Sequence, residues 1–89
     1  MGRHETTLSR VLGGRADAAI GFDALCALLR RLDFDERVRG SHHLFRREGV
    51  AELINLQRDG AHAKPYQVRQ VRAILRRYGL VTLEPPETP

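Results

Sequence analysis

The spacing of the apolar residues changes at Phe34. Before it, Phe22, Leu25, Cys26, Leu29 and Leu32 recur at helical intervals, which predicts a helix over residues 22–32 with one apolar stripe. After it, Phe34, Glu36 and Val38 alternate with Asp35, Arg37 and Arg39, the period of a strand, up to a break at Gly40. His42 to Arg47 predicts a second strand, and Arg47-Glu48-Gly49 a hairpin turn. The helical period returns after Pro65, with Val68, Val71, Leu75 and Tyr78 on the core side and Ile74 at its edge. Helix, strands and helix in that order make the chain α+β.

The punctuation agrees with the periods. Asp23 opens the 22–32 helix and Arg30-Arg31 close it, the favourable order for the helix dipole. Asp33 follows at the stop, and Asp tolerates a left-handed backbone better than most residues. Pro65 suits a first helical turn, where its missing N–H costs nothing, and Gly79 is a helix stop. Glu5 to Leu12 predicts a short front helix ended by Gly13-Gly14; residues 13–21 read as a loop whose Ile20 plugs into the core. Arg58 to Ala63 reads as a loop around Gly60. Val50 to Leu56 fits a helix opening as well as a third strand through Leu53-Ile54-Asn55-Leu56-Gln57.

At 89 residues without tryptophan, one small domain is expected, with a core of Leu, Ile, Val and Ala. Residues 1–80 form that domain in this reading and residues 81–89 a loose tail. The formal charge of +4 suits a polyanionic partner, either nucleic acid or an acidic protein. No run of about 18 apolar residues is present, so no membrane partner is expected, and no basic-then-apolar signal segment opens the chain. The single cysteine, Cys26, has no internal disulfide partner, which fits a reducing cytoplasm, and its place on the apolar stripe makes it a core residue.

Chemistry concentrates in Gly40-Ser41-His42-His43-Leu44-Phe45-Arg46-Arg47. Imidazole, with an unperturbed pKa of about 6.5, both takes and gives a proton near neutral pH. Arginine holds phosphate through paired hydrogen bonds. Strand alternation sends His42 and His43 to opposite faces, so one of the two is expected to reach a substrate. His-His pairs also occur in strands without any chemical role. Arg69, Arg76 and Arg77 share the outer side of the last helix, and no acidic residue stands between Asp59 and Glu84; this side is either a solvated face or a contact for RNA or a partner. His4 and His62 read as exposed bystanders. His42, His43 and His62 have no recognised metal-ligand spacing, so neither metal nor cofactor is expected.

The run Arg37-Val38-Arg39 followed by Gly40-Ser41-His42-His43-Leu44-Phe45 resembles the signature of the HicA family of toxin ribonucleases. Lys64-Pro65-Tyr66-Gln67-Val68-Arg69-Gln70-Val71-Arg72 resembles the final helix of one branch of that family, and Phe22-Asp23-Ala24-Leu25-Cys26 upstream adds to the match. The similarity covers roughly residues 5–80. It implies a double-stranded-RNA-binding-like fold, with a three-stranded antiparallel sheet packed with helices and an extra helix in front, and it decides residues 53–57 as a strand. It implies a metal-independent mRNA interferase whose catalytic histidine is His42 or His43. Ser41, Arg46, Arg47, Lys64, Arg69, Arg76 and Arg77 are then the candidate RNA contacts. The implied partners are mRNA and a HicB-type antitoxin, with DNA excluded as a substrate because it lacks the attacking 2′-hydroxyl. The chain departs from the family at Asp33, where Gly is usual, and at Asn55-Leu56-Gln57, where many members carry Pro-x-His. The extension before Phe22 is a further departure. A non-catalytic RNA-binding or partner-binding module on the same fold is the competing reading.

Overall fold

A computed structural model of the chain describes residues 2–83. It is α+β: helix α1 (Arg3–Gly13), a 3-10 turn (Asp17–Ala19), helix α2 (Phe22–Arg31), strands β1 (Asp35–Arg39), β2 (His42–Arg46), β3 (Ile54–Asp59) and β4 (His62–Ala63), and helix α3 (Pro65–Arg77). The strands form one antiparallel sheet in the order β1-β2-β3-β4. Among the described residues, no helix is long and apolar enough to cross a membrane.

The two helices beside the sheet end in the same way. Asp33 takes φ +70°; its N–H bonds to Arg30 O and that of Phe34 to Leu29 O, a Schellman stop with Asp in the usual glycine position. Gly79, also at φ +70°, repeats it at the end of α3, with Leu80 N–H on Leu75 O at 2.7 Å. The chain is thereby turned sharply from α2 into β1.

Four strands replace the three expected. Residues 58–63, read as a loop, hold a two-residue hairpin turn at Gly60-Ala61 that pairs Asp59 with His62 and Arg58 with Ala63. A two-residue strand is too short to show a period. Its outer side is paired as well: Ala63 N–H bonds to Ile20 O and Phe22 N–H to Ala61 O. The β4 edge is therefore covered by the segment that leads into α2, and β1 forms the opposite edge.

All three helices share one core with Phe45, Ile54 and Leu56 of the sheet. Leu28 is also fully buried, because α2 is covered by α1 as well as facing the sheet. Ile74, expected at the edge, is buried, and Tyr78, expected in the core, is only half-buried. Tyr78 turns its hydroxyl outward instead and donates to Glu52 Oε1 at 2.6 Å. His4 is half-buried rather than exposed, with Nδ1 buried and unpartnered. Of the expected tail, Leu83 packs against the core, and residues 84–89 lie outside the described residues.

Arg72 ties this layer together. Its guanidinium takes both carboxylate oxygens of Asp17, at 2.9 and 3.3 Å, and the carbonyl of Val11 at 3.2 Å. Only 20% of the Arg72 side chain and 15% of Asp17 are exposed, so removing one partner leaves the other charge poorly solvated. Arg72→Leu should cost about 2–3 kcal/mol, read as a lower urea midpoint with an unchanged m-value.

Candidate functional site: the two faces of the sheet

Gly40, at φ +58°, makes the first residue of a two-residue turn, as tight hairpins require. That turn fixes the register: Arg39 opposite His42, Val38 opposite His43, Arg37 opposite Leu44 and Asp35 opposite Arg46. On its other side β2 pairs His42 with Gln57, His43 with Leu56 and Leu44 with Asn55. Directly opposed residues share a face. Arg39, His42 and Gln57 thus form one row on the face away from the helices, with Arg37, Leu44 and Asn55 in the next row and Asp35 and Arg46 beyond. Val38, His43 and Leu56 lie on the helix side with Glu36, Phe45 and Ile54. The two histidines are on opposite faces, as alternation predicts.

On the open face His42 is exposed, and its Nδ1 lies 3.2 Å from Asn55 Oδ1. A carbonyl oxygen only accepts, so with this partner Nδ1 carries the ring hydrogen and Nε2 keeps the lone pair of the neutral ring. Gln57 Nε2 donates to Ser41 Oγ at 3.1 Å, bracing the turn beside it. Next to this row lies a groove of about 510 Å³ lined by Asp35, Arg37, Arg39, Leu44, Arg46 and Leu53. Among the described residues, Arg37, Arg39 and Arg46 form no side-chain hydrogen bond or ion pair. Three guanidiniums and one carboxylate, Asp35, over a floor of Leu44 and Leu53 leave the groove net positive among the described residues; with an oriented imidazole at the end it can hold an extended polyanion and take a proton from it.

The helix side holds His43 differently. Its Nδ1 donates to Glu36 Oε2 at 2.8 Å, Arg30 donates to Glu36 Oε1, and the Phe22 ring meets the imidazole edge-on with centroids 4.9 Å apart. Arg58 lies 4.5 Å over the Phe22 ring and bonds to Asp23 at 2.7 Å. Burial opposes ionisation of Glu36, yet the hydrogen bonds from His43 and Arg30 outweigh it and hold the carboxyl below its usual range. The Arg58 bond lowers the Asp23 carboxyl as well. Cys26 is buried as expected, and burial, helped by Glu36, pushes its thiol up to about 12.

The other expected contacts scatter. Ser41 and Arg46 sit with His42, and Arg47 lies in the loop after β2. Lys64 and Arg69 belong to the helix layer. Arg76 donates to Leu12 O at 2.7 Å, closing the end of α1, and Arg77 pairs with Glu52 at 3.2 Å; both have structural partners rather than a bare solvated face. Arg37 and Arg39, not singled out from the sequence as contacts, line the open-face groove with Arg46. The strand period together with a two-residue turn at Gly40-Ser41 is the signal that identifies them. His42, His43 and His62 do not gather. Among the described residues, the one group of potential metal donors is Cys26, Glu36 and His43. No family model, curated protein or solved structure matches the chain.

Proposed function

We propose that this chain is a metal-independent endoribonuclease of HicA type, an mRNA interferase that acts in the cytoplasm as the toxin of a toxin–antitoxin pair, with His42 as its general base. The observation that carries the reading is the exposed His42, oriented by Asn55 on an open sheet face with three arginines that have no side-chain partner among the described residues. The run from α2 through three strands to α3, with both helices on one side, supports a double-stranded-RNA-binding-like fold, to which β4 and the N-terminal helix are additions. The same basic face suits an acidic surface of a HicB-type antitoxin, whose docking would cover the base and the phosphate contacts together.

In this mechanism the lone pair on His42 Nε2 takes the proton of a ribose 2′-hydroxyl. O2′ attacks the adjacent phosphorus, the P–O5′ bond breaks, and the departing oxygen takes a proton from solvent. Arg39, directly opposite His42, holds the non-bridging oxygens of the scissile phosphate as their charge redistributes, while Arg37 and Arg46, farther along the same face, hold neighbouring phosphates of the strand. The products are a 2′,3′-cyclic phosphate and a 5′-hydroxyl.

The test uses purified chain, an RNA oligomer and excess chelator, with end groups read by mass spectrometry. Cleavage should persist and leave those two ends, and an oligomer methylated at its 2′-hydroxyls should remain intact. A 5′-phosphate product, loss of cleavage in chelator from the folded chain, or cutting of methylated RNA would contradict the mechanism. Binding without cleavage by the antitoxin-free chain would assign the same face to a non-catalytic RNA-binding module.

A further inference from the structure

The helix side of the sheet holds a second cluster that the nuclease reading leaves unused. Phe22, Cys26 and Arg30 stand four residues apart and so line one row of α2. Phe22 meets His43 and Arg30 meets Glu36, which brings Cys26, between them, over the same two residues. The Cys26 sulfur, a Glu36 carboxylate oxygen and a His43 ring nitrogen all lie within 4.8 Å of one another. These donors come from α2, β1 and β2, so the tertiary fold assembles them rather than any local motif.

We propose that Cys26, Glu36 and His43 bind one zinc ion, with water as the fourth ligand. The site is distinct from the open face, and the proposal does not rest on the nuclease reading.

The donor chemistry selects the metal. One sulfur, one imidazole nitrogen and one carboxylate oxygen suit Zn²⁺; magnesium and calcium take oxygen ligands. With Zn–S of about 2.3 Å and Zn–N and Zn–O of about 2.0–2.1 Å, tetrahedral ligands stand roughly 3.3–3.6 Å apart. The cluster therefore has to contract by about 1 Å at its widest pair, within the reach of side-chain rotations. The side chains of His43 and Glu36 are 24% and 18% exposed, which leaves a path for the ion and for the water ligand.

The surrounding charges permit it. The groups facing the cluster are Arg30, bound to Glu36, and the Arg58–Asp23 pair. A thiolate and a carboxylate cancel the two charges of the ion, so the metal and its ligands are together neutral, and the one charge left over is on Arg30, whose side chain is half exposed to water. Arg30 occupies Oε1 and leaves Oε2 to the metal, and Phe22 fixes the imidazole plane, the supporting roles that metal sites use. Loading moves two protons. The hydrogen on His43 Nδ1 is lost there and regained at Nε2, and the Cys26 thiol gives its proton to solvent, one released per ion bound.

Cobalt is the probe, because Co²⁺ in such a site absorbs through thiolate-to-metal charge transfer. Titration of the reduced, folded chain with Co²⁺ should produce that near-ultraviolet band, saturating at one equivalent with one proton released. Zn²⁺ should then bleach it and raise the melting temperature. Cys26 is the only cysteine, so the band reports this residue alone. Cys26→Ala should abolish it, and Glu36→Gln and His43→Ala should each weaken Co²⁺ binding by at least about tenfold, while His62→Ala should not. Absence of the band at saturating Co²⁺, or undiminished affinity in folded Glu36→Gln and His43→Ala, would overturn the site. If a variant fails to fold, the wild-type band decides alone, since it must vanish when the chain is unfolded in urea.

Discussion

Replacing His42 by Ala should lower RNA cleavage by about two to four orders of magnitude, the usual contribution of a positioned general base, and leave the unfolding midpoint unchanged. His43→Ala should do the reverse. It removes the bond to Glu36 and the edge contact with Phe22, so it should cost about 1–2 kcal/mol of stability and change the cleavage rate no more than a few-fold where the chain is still folded. The contrast rests on the faces. His42 stands exposed in a row with Arg39 and Gln57, and Asn55 leaves its Nε2 lone pair outward. His43 is packed against the helix layer and its Nδ1 is committed to a carboxylate. In cells lacking an antitoxin, the wild type and His43→Ala should arrest growth and His42→Ala should not. Retained cleavage in His42→Ala with loss in folded His43→Ala would move the base to the other side of the sheet. The Asn55→Leu variant adds a positioning test. It frees the imidazole to rotate and to change tautomer, so the rate should fall without loss of RNA binding.

The elements were legible because their signals are local. The stripe of α2, its stop at Asp33, the alternation of β1 and the Pro65 start of α3 are each written within a few residues. The opposition of His42 and His43 follows from the same alternation. What escaped is what distant parts of the chain decide. Arg76 and Arg77 look like a free basic face until Leu12 and Glu52, distant in sequence, supply their partners. Cys26 looks like a plain core residue on its helix, and only the turn into β1 and β2 sets Glu36 and His43 beside it. The β4 strand is held as much by residues 20–22 as by its own hairpin, and no two-residue pattern announces it. Arg37 and Arg39 are the instructive case, since they were readable: once a two-residue turn is placed at Gly40-Ser41, the register follows and both fall on the face of His42.

Those two residues, with Arg46, should also carry the salt dependence of RNA binding. Each phosphate contact to single-stranded RNA releases counterions and contributes a slope of about −0.7 in log K against log salt. A guanidinium already tied to a carboxylate or carbonyl has less to offer a phosphate, and this separates the two arginine groups. Arg37, Arg39 and Arg46 have no side-chain partners among the described residues, whereas Arg76 and Arg77 are engaged at 2.7 and 3.2 Å. Changing Arg37, Arg39 and Arg46 together to Gln should therefore flatten the slope by about 2, with the melting temperature unaltered because no internal bond is lost. Changing Arg76 and Arg77 to Gln should lower the melting temperature and leave the slope as it was. Asp35, directly opposite Arg46 in the same groove, gives the sign control. Asp35→Asn removes the one anion that lines the groove among the described residues, so it should tighten RNA binding. The measurement is RNA affinity by fluorescence anisotropy over a range of monovalent salt. A flattened slope in the Arg76/Arg77 variant with none in the open-face triple variant would place the RNA on the helix layer and leave His42 without its phosphate contacts.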